Sequence, residues 1–286
     1  MKWILLFLFS FSFSLTAQAS EMISALSASQ GGTGRAAVEA TEAIYLNPAS
    51  LALVQGFHTG FGYQTGFLSK DVSRNTYSVT LADATKDIMF PGSFGYRRHS
   101  INAQGRRFSE NEFRAGLGYR LMPRLSLGLG ANHLRATTSA GVEHNQTNVD
   151  LGVLIGLMPQ WGLSFSGENL VDRSEVDIPE ALRRLSRVAI GTQYVHEKSI
   201  TFRYEALMPL YLENTQLLAH RFGLGFDLKN RISLNTGYSV DDSLSQNWTS
   251  LGFAWKGPRL KLAYSYQVED RSSLGSRHLV DLWVDI

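Results

Sequence analysis

The chain has 286 residues, a formal net charge of +2 at pH 7 and a mean hydropathy of −0.10. It contains no cysteine, which excludes disulfides, a lipid-anchored N-terminal cysteine and a zinc–thiolate site. The small net charge gives no sign of a nucleic-acid-binding surface, so we expect no nucleic-acid partner. The mean hydropathy is ordinary for a soluble protein, but it also suits a membrane β-barrel, in which only alternate residues meet lipid.

Residues 1–19 have the three parts of a secretory signal peptide. Lys2 supplies the positive charge, the apolar core runs from Trp3 to Leu15, and Ala17-Gln18-Ala19 forms a small-residue cleavage site. A core of this length falls short of the roughly 20 residues that a membrane-spanning helix needs, which disfavours an uncleaved anchor. We predict cleavage after residue 19 and export to the bacterial cell envelope.

Residues 20–55 differ in composition from the rest of the chain. The run from Gly31 to Gly34 predicts a flexible turn, and the alanine-rich run from Arg35 to Tyr45 predicts one short helix. Asn47-Pro48-Ala49 predicts a turn after it, because the residue before a proline avoids helical geometry. A phosphate-binding loop is not expected, since no Gly-Lys-Ser/Thr follows the glycines.

Residues 56–286 show the period-two pattern of β-strands, which is clearest from Phe113 to Ala131. There, apolar residues alternate with glycine, arginine and serine across a hairpin whose turn is Met122-Pro123-Arg124. One face is apolar with aromatic residues, and the other is small, polar or charged. This combination suits the wall of a membrane barrel that is apolar outside and polar inside.

The same alternation recurs along the chain and predicts an all-β fold, an antiparallel up-and-down barrel of about 14 strands. The predicted strands are Phe57–Phe67, Asn75–Leu81, Ser93–His99, Phe113–Leu121, Leu125–Ala131, Val149–Leu157, Trp161–Gly167, Arg187–Tyr194, Ile200–Glu205, Arg221–Asp227, Ile232–Tyr238, Ser250–Lys256, Leu260–Gln267 and His278–Ile286. Leu154 breaks the pattern, because it falls on the polar face.

The predicted connections alternate between short and long. Short ones follow Leu121, Leu157, Tyr194, Leu228 and Lys256, whereas longer ones include His99–Glu112 and Thr138–Thr147. Bacterial outer-membrane barrels have short periplasmic turns and longer outer loops. We therefore predict the bacterial outer membrane as the location, with membrane lipid and the outer-membrane assembly machinery as partners.

Charged side chains of the predicted strands share the polar face. An arginine on the lipid face would cost about 2–4 kcal/mol at the bilayer midplane. We therefore predict that a polar interior is lined by Arg114, Arg120, Asp150, Arg187, Arg203, Glu205, Arg221, Asp227, Lys256 and Lys261.

A barrel of about 14 strands is wider than the 8-stranded type that its own side chains fill. We predict that residues 20–55 plug the lumen, because the apolar residues Ile44, Leu46 and Leu51 need burial. The alternative is a loose tail outside the barrel.

The stretch from Gly31 to Leu53 resembles the N-terminal signature of the FadL-type superfamily of outer-membrane barrels. That superfamily includes long-chain fatty-acid and aromatic-hydrocarbon transporters and PorV/PorQ-like proteins. The signature is matched by Gly34, Arg35, Ala36, Ala43, Tyr45, Asn47, Pro48, Ala49 and Leu51. The segment from Ile178-Pro179 to Gly191 is similar to a recurrent mid-barrel segment. The resemblance implies 14 strands and an N-terminal hatch inside the barrel.

Two functions follow from these expectations. The first is passive transport of small hydrophobic, fatty-acid-like molecules, gated by a hatch whose predicted residues are Gly31, Gly32, Gly34, Arg35, Tyr45, Asn47, Pro48 and Ala49. The second is a non-transport scaffold or secretion partner of the PorV/PorQ type, which the short chain and modest loops favour. The final residue is Ile286, where such barrels often end in an aromatic residue.

An enzyme is not expected. The histidines are scattered along the chain and no nucleophile elbow accompanies them. His133 and His278 fall on the outward face near predicted strand ends, which suits a membrane interface. His144 is too isolated to mark a metal site. We therefore predict no catalytic residue, no metal site and no cofactor.

Overall fold

The computed structural model describes residues 24–69, 72–86, 88–103, 105–171, 173–174, 184, 186–210, 219–229, 231–242, 246–270 and 275–286. The predicted signal peptide and its cleavage site lie outside these residues. None of the helices found in them is long and apolar enough to cross a lipid bilayer.

Strands dominate the described chain, as the period-two pattern predicted. In chain order they are β1 (Gly56–Ser69), β2 (Val72–Ala84), β3 (Gly92–Ala103), β4 (Arg106–Met122), β5 (Leu125–Thr137), β6 (Glu143–Met158), β7 (Trp161–Glu168), β8 (Arg173–Ser174), β9 (Arg187–His196), β10 (Ile200–Pro209), β11 (Ala219–Leu228), β12 (Ile232–Asp241), β13 (Gln246–Lys256), β14 (Leu260–Glu269) and β15 (Ser276–Asp285).

These strands form a closed antiparallel barrel. Strands that follow each other in the chain pair with each other, and β1 pairs with β15 to close the ring, with Tyr63 opposite Val280. In the part of the chain that the structure describes, the two-residue strand β8 pairs with β6 alone, while β7 pairs directly with β9. Among the described strands, fourteen therefore make the ring, and the predicted fold class is confirmed.

The up-and-down order gives the barrel two ends. We call the end where β1 begins and β15 finishes the basal end, and the opposite one the distal end. The short connections 123–124, 159–160, 197–199, 229–231 and 257–259 all lie at the basal end, as predicted. The predicted long connections His99–Glu112 and Thr138–Thr147 are wrong, because β3 continues to Ala103, β4 begins at Arg106 and β6 begins at Glu143.

Side chains alternate between a solvent-accessible outer face and a buried inner face. The outer face is apolar along most strands and includes Phe61, Tyr63, Val79, Leu81, Phe94, Leu117, Leu129, Leu151, Phe165, Ile190, Phe202, Phe222, Leu234, Leu251, Phe253 and Val280. The inner face is mainly polar, with Gln64, Thr76, Asn132, Asn148, Ser164 and Ser250 among its buried residues. An exposed apolar band around a closed sheet is the pattern of a wall that faces lipid.

The chain before β1 is less helical than the sequence suggested. It contains α1 (Ala25–Ser29), α2 (Ala43–Leu46) and a 3₁₀-helix over Pro48–Leu53. The predicted helix over Arg35 to Tyr45 is wrong in extent, since only its last three residues are helical. Asn47 has extended backbone angles of −159° and 103° before Pro48, which agrees with the predicted turn.

Candidate functional site

Residues 24–54, which we call the N-terminal segment, pack against the inner face of the barrel. Helix α1 contacts β12 to β15, and the 3₁₀-helix contacts β4 to β6. The backbone approaches the wall so closely that only glycine fits at some strand positions. A Cβ on Gly128 would overlap the backbone of Pro48 and Ala49, and one on Gly237 would overlap that of Gln30 and Gly31. The glycines of the inner face thus make room for the N-terminal segment.

The N-terminal segment also covers apolar residues of the inner face. In one cluster, Ala25, Leu26 and Ala28 pack with Ala254, Ala263, Leu279 and Trp283. In two others, Ala36 and Ala49 pack with Leu154, and Ala43 and Leu51 pack with Ala82. Leu154 breaks the polar pattern of the inner face because it contacts the N-terminal segment instead of water.

Arg35 fixes the middle of the N-terminal segment to one side of the barrel. Its fully buried guanidinium lies between the carboxylates of Glu205 on β10, at 2.6 Å, and Glu168 on β7, at 2.5 Å. Glu205 Oε1 also accepts the backbone N–H groups of Gly34 and Arg35. Arg187 on β9 binds the second oxygen of Glu168 at 2.6 Å. We call Arg35, Glu168 and Glu205 the arginine seat; every charge in it has an opposite charge in contact.

Asn47 holds the turn that follows the arginine seat. Its side-chain oxygen accepts the N–H of Ala49 at 3.1 Å and so caps the 3₁₀-helix. Its amide nitrogen donates to the carbonyls of Arg35, at 3.0 Å, and of Val153 on β6, at 3.2 Å. Asn47 is fully buried, so these bonds tie two parts of the N-terminal segment to the wall.

Tyr45 and Glu42 meet the opposite side of the barrel. The guanidinium carbon of Arg97 on β3 lies 3.2 Å from the centre of the Tyr45 ring, which is a cation–π contact. Nearby, a cavity of about 20 Å³ lies between the N-terminal segment and the wall, and both Glu42 and Asp281 of β15 line it. We call it the carboxylate cavity. Its volume is about that of one water molecule.

The three glycines among the predicted hatch residues also contact the inner wall of the barrel. Gly31 has a φ of +69° and packs against Phe222 and Tyr238, while the carbonyl of Gly32 accepts a hydrogen bond from Arg221 at 3.0 Å. Gly34 donates its N–H to Glu205. Together with Arg35, Tyr45, Asn47, Pro48 and Ala49, they are brought into contact with the inner wall.

The predicted lining residues fall into three groups. Arg114, Asp150 and Glu205 are buried or nearly so, and Arg114 binds Asp150 at 3.2 Å. Arg187, Arg203 and Arg221 are half-buried. The residues nearer the basal end, which are partly or fully exposed, are Arg120, Asp227, Lys256 and Lys261.

The period-two alternation of the predicted strands did not identify a further set of buried polar and charged residues in the distal half of the interior. Glu112 accepts from Arg114 at 2.7 Å, and Glu110 accepts from Arg184 at 3.1 Å. His99 Nδ1 lies 2.8 Å from the hydroxyl of Thr76. Glu110 and Glu112 lie where β4 begins before its predicted start, and His99 is the last residue of the predicted third strand. Continued alternation through His99, Glu110 and Glu112 was the signal that could have found them.

Solved structures with this fold are transporters and channels. The Ralstonia pickettii toluene transporter TbuX aligns with a TM-score of 0.69 at 10% identity, over 92% of this chain and 97% of that one. The Pseudomonas putida toluene transporter TodX gives 0.67 at 12% identity, over 92% and 97%. A Pseudomonas aeruginosa FadL homologue gives 0.62 at 11% identity, over 92% and 98%.

No protein-family model matches the sequence, and no curated protein matches it significantly. At these identities the likeness establishes the fold alone, and this fold is the one that the resemblance of the N-terminal segment implied. The two toluene transporters are described by their transport function. The scaffold hypothesis stays a prediction.

Proposed function

We propose that this chain is an outer-membrane channel for small hydrophobic molecules and that its N-terminal segment is the gate. The observation that carries the proposal is the position of residues 24–54 inside the ring, in contact with strands from all round the wall. In this proposal the cargo moves passively, down its concentration gradient. The apolar outer band supports insertion in membrane lipid.

The inner wall supports a hydrophobic cargo. Its described lining is mostly polar, but Ala82, Leu154, Leu279 and Trp283 form apolar patches. The N-terminal segment covers all four. A displaced segment would expose these patches to the lumen, so an apolar cargo and the segment would compete for the same surface. Toluene, which the Ralstonia pickettii and Pseudomonas putida proteins transport, is of this chemistry.

Uptake by cells tests the transport half of the proposal. Bacteria without their own channels of this fold would be compared with and without this gene for uptake of radiolabelled toluene and of a radiolabelled fatty acid. We expect faster uptake of at least one probe when the barrel is present in the outer membrane. Equal rates for both probes, with the protein correctly inserted, would remove the transport function.

A disulfide lock tests the gating half. A Cβ on Gly60 of β1 would lie 3.0 Å from the Cβ of Thr41, close to the 3.5–4.5 Å spacing of a disulfide. Because the chain has no cysteine, the variant T41C/G60C adds one isolated pair. We expect oxidation to stop uptake and reduction to restore it, while the single variant T41C responds to neither. Unchanged uptake in the oxidised form would show that the N-terminal segment does not move during transport.

A further inference from the structure

The carboxylate cavity separates the N-terminal segment from β1, β2, β3 and β15. Its lining combines Ser24, Thr41 and Glu42 of the segment with Ser78, Thr80, Arg97 and Asp281 of the wall. Both carboxylic side chains are buried, with 3% of Glu42 and 4% of Asp281 exposed. Two acidic groups therefore line the same small cavity, whose volume is about that of one water molecule.

The two carboxyl groups are held by neutral donors rather than by ion pairs. Asp281 Oδ2 accepts the backbone N–H of Ala25 at 2.5 Å, and Glu42 Oε2 accepts the hydroxyl of Ser27. Glu42 Oε1 is buried without a hydrogen-bond partner. Among the described residues, no basic group lies within 4 Å of either carboxyl group. A buried carboxylate without such a partner is strongly disfavoured against its neutral form.

Several charged groups face Glu42 from the surrounding elements. Glu39 of the same segment and Asp281 of β15 oppose its ionisation, whereas Arg203 of β10 favours it. Arg97 of β3 lines the cavity but stacks on Tyr45. Burial, followed by the charge of Glu39, raises the pKa of Glu42 to about 8.

We propose that the carboxylate cavity is a proton-dependent seat for the N-terminal segment, which is held against β1 and β15 while Glu42 is protonated and loosens as Glu42 ionises. Release into water would return the group to its ordinary ionisation. The protonation of Glu42 therefore makes its full contribution to holding the N-terminal segment at pH values below 4.5, the ordinary pKa of this group. This contribution weakens as the pH rises from 4.5 towards about 8. One linked proton changes the release equilibrium at most about tenfold per pH unit.

This proposal rests on the proposed function only for its consequence in transport, since the seat can be measured without any cargo. Ala28 of α1 is fully buried against β13 to β15, so the variant A28C reports release of this part of the segment through reaction with a thiol reagent. A second variant, S139C, places a cysteine in the exposed connection after β5. The ratio of the two labelling rates, measured in vesicles at each pH, removes the intrinsic pH dependence of the thiol.

We expect the rate ratio to rise between pH 5 and pH 8 in the A28C protein. The substitution E42Q, made in the A28C protein, keeps the shape of the side chain without its titration and should make the ratio flat. A flat ratio in A28C itself, or an unchanged slope in A28C/E42Q, would overturn the proposal. Uptake of toluene and fatty acid is measured separately, so a channel that fails to transport does not decide this result.

Discussion

The N-terminal segment meets the barrel at two charged places that are built in opposite ways. In the arginine seat, one buried cation touches two carboxylates, and Arg187 balances the remaining oxygen of Glu168. In the carboxylate cavity, Glu42 and Asp281 share a water-sized space and are bound by Ser27 and by the N–H of Ala25. Both places are buried, so the difference lies in charge compensation and not in exposure to water.

This difference indicates how the N-terminal segment would be released. A buried ion pair is costly to break because the partner left behind remains charged in a poor solvent. A carboxyl group without an ion-pair partner can change its charge by gaining or losing one proton. We therefore expect the N-terminal segment to stay bound at Arg35 when the pH changes. We expect the part of it near Glu42 to be released from the wall as the pH rises.

Removal of Arg35 should have the largest effect. In R35A, Glu168 and Glu205 stay buried without their shared cation, and breaking such a pair costs about 3–5 kcal/mol. With A37C as the reporter, since Ala37 is only 3% exposed, we expect labelling to rise by at least about a hundredfold.

The control for this prediction is R35K, which keeps the positive charge but loses the paired donors of the guanidinium. It should give labelling between that of the A37C protein and that of R35A/A37C. Labelling in R35A/A37C no faster than in A37C would mean that the arginine seat does not hold the segment.

A change in the close contact at Gly128 should have the next largest effect. In G128A the added Cβ would overlap the backbone of Pro48 and Ala49, and overpacking of this kind costs about 1–3 kcal/mol. The free energy of unfolding from urea titration in lipid vesicles would measure it. The control is G116A on the neighbouring strand β4, where the new Cβ would meet Ile44 at an ordinary 3.5 Å. Equal losses in the two variants would contradict the close approach.

A pH series with both reporters should then separate the two places. Between pH 6 and pH 7, we expect A28C labelling, corrected with S139C, to rise by up to about tenfold, which corresponds to one linked proton. Labelling of A37C, corrected in the same way, should stay constant, because the charges around Arg35 are already paired. A parallel rise at both positions would mean that the segment is released as one unit.

The sequence predicted the strands of the barrel wall better than it predicted the contacts of the N-terminal segment inside the barrel. The alternation that identifies a strand also sets the face of each side chain, so Arg114, Asp150 and Glu205 could be assigned to the interior from parity. The same reasoning did not predict the distal ends of β3, β4 and β6. There, polar residues occupy both faces near the distal end, and the contrast between the faces disappears.

The contacts of the N-terminal segment could not be read from periodicity. The resemblance to the FadL-type signature identified Arg35, Asn47 and Pro48, but not Glu168, the partner of Arg35 on β7. Glu42 lies in the alanine-rich run that predicted a helix, and Asp281, which lines the same cavity, is far away in the chain. Partners of this kind are set by barrel closure, which brings β1 beside β15.

The smallest effect is expected at a third charged pair, on the outer surface. Arg135 binds Glu143 at 2.5 Å, as close as Arg35 is to Glu168, but about half of each side chain is exposed. Water already solvates both groups, and exposed pairs contribute only about 0.2–1 kcal/mol. The free energy of unfolding of R135A should therefore differ from that of the parent by less than about 1 kcal/mol. A loss of about 3–5 kcal/mol, the cost expected for breaking the buried pairs of Arg35, would show that pairing, rather than burial, sets the strength of the arginine seat.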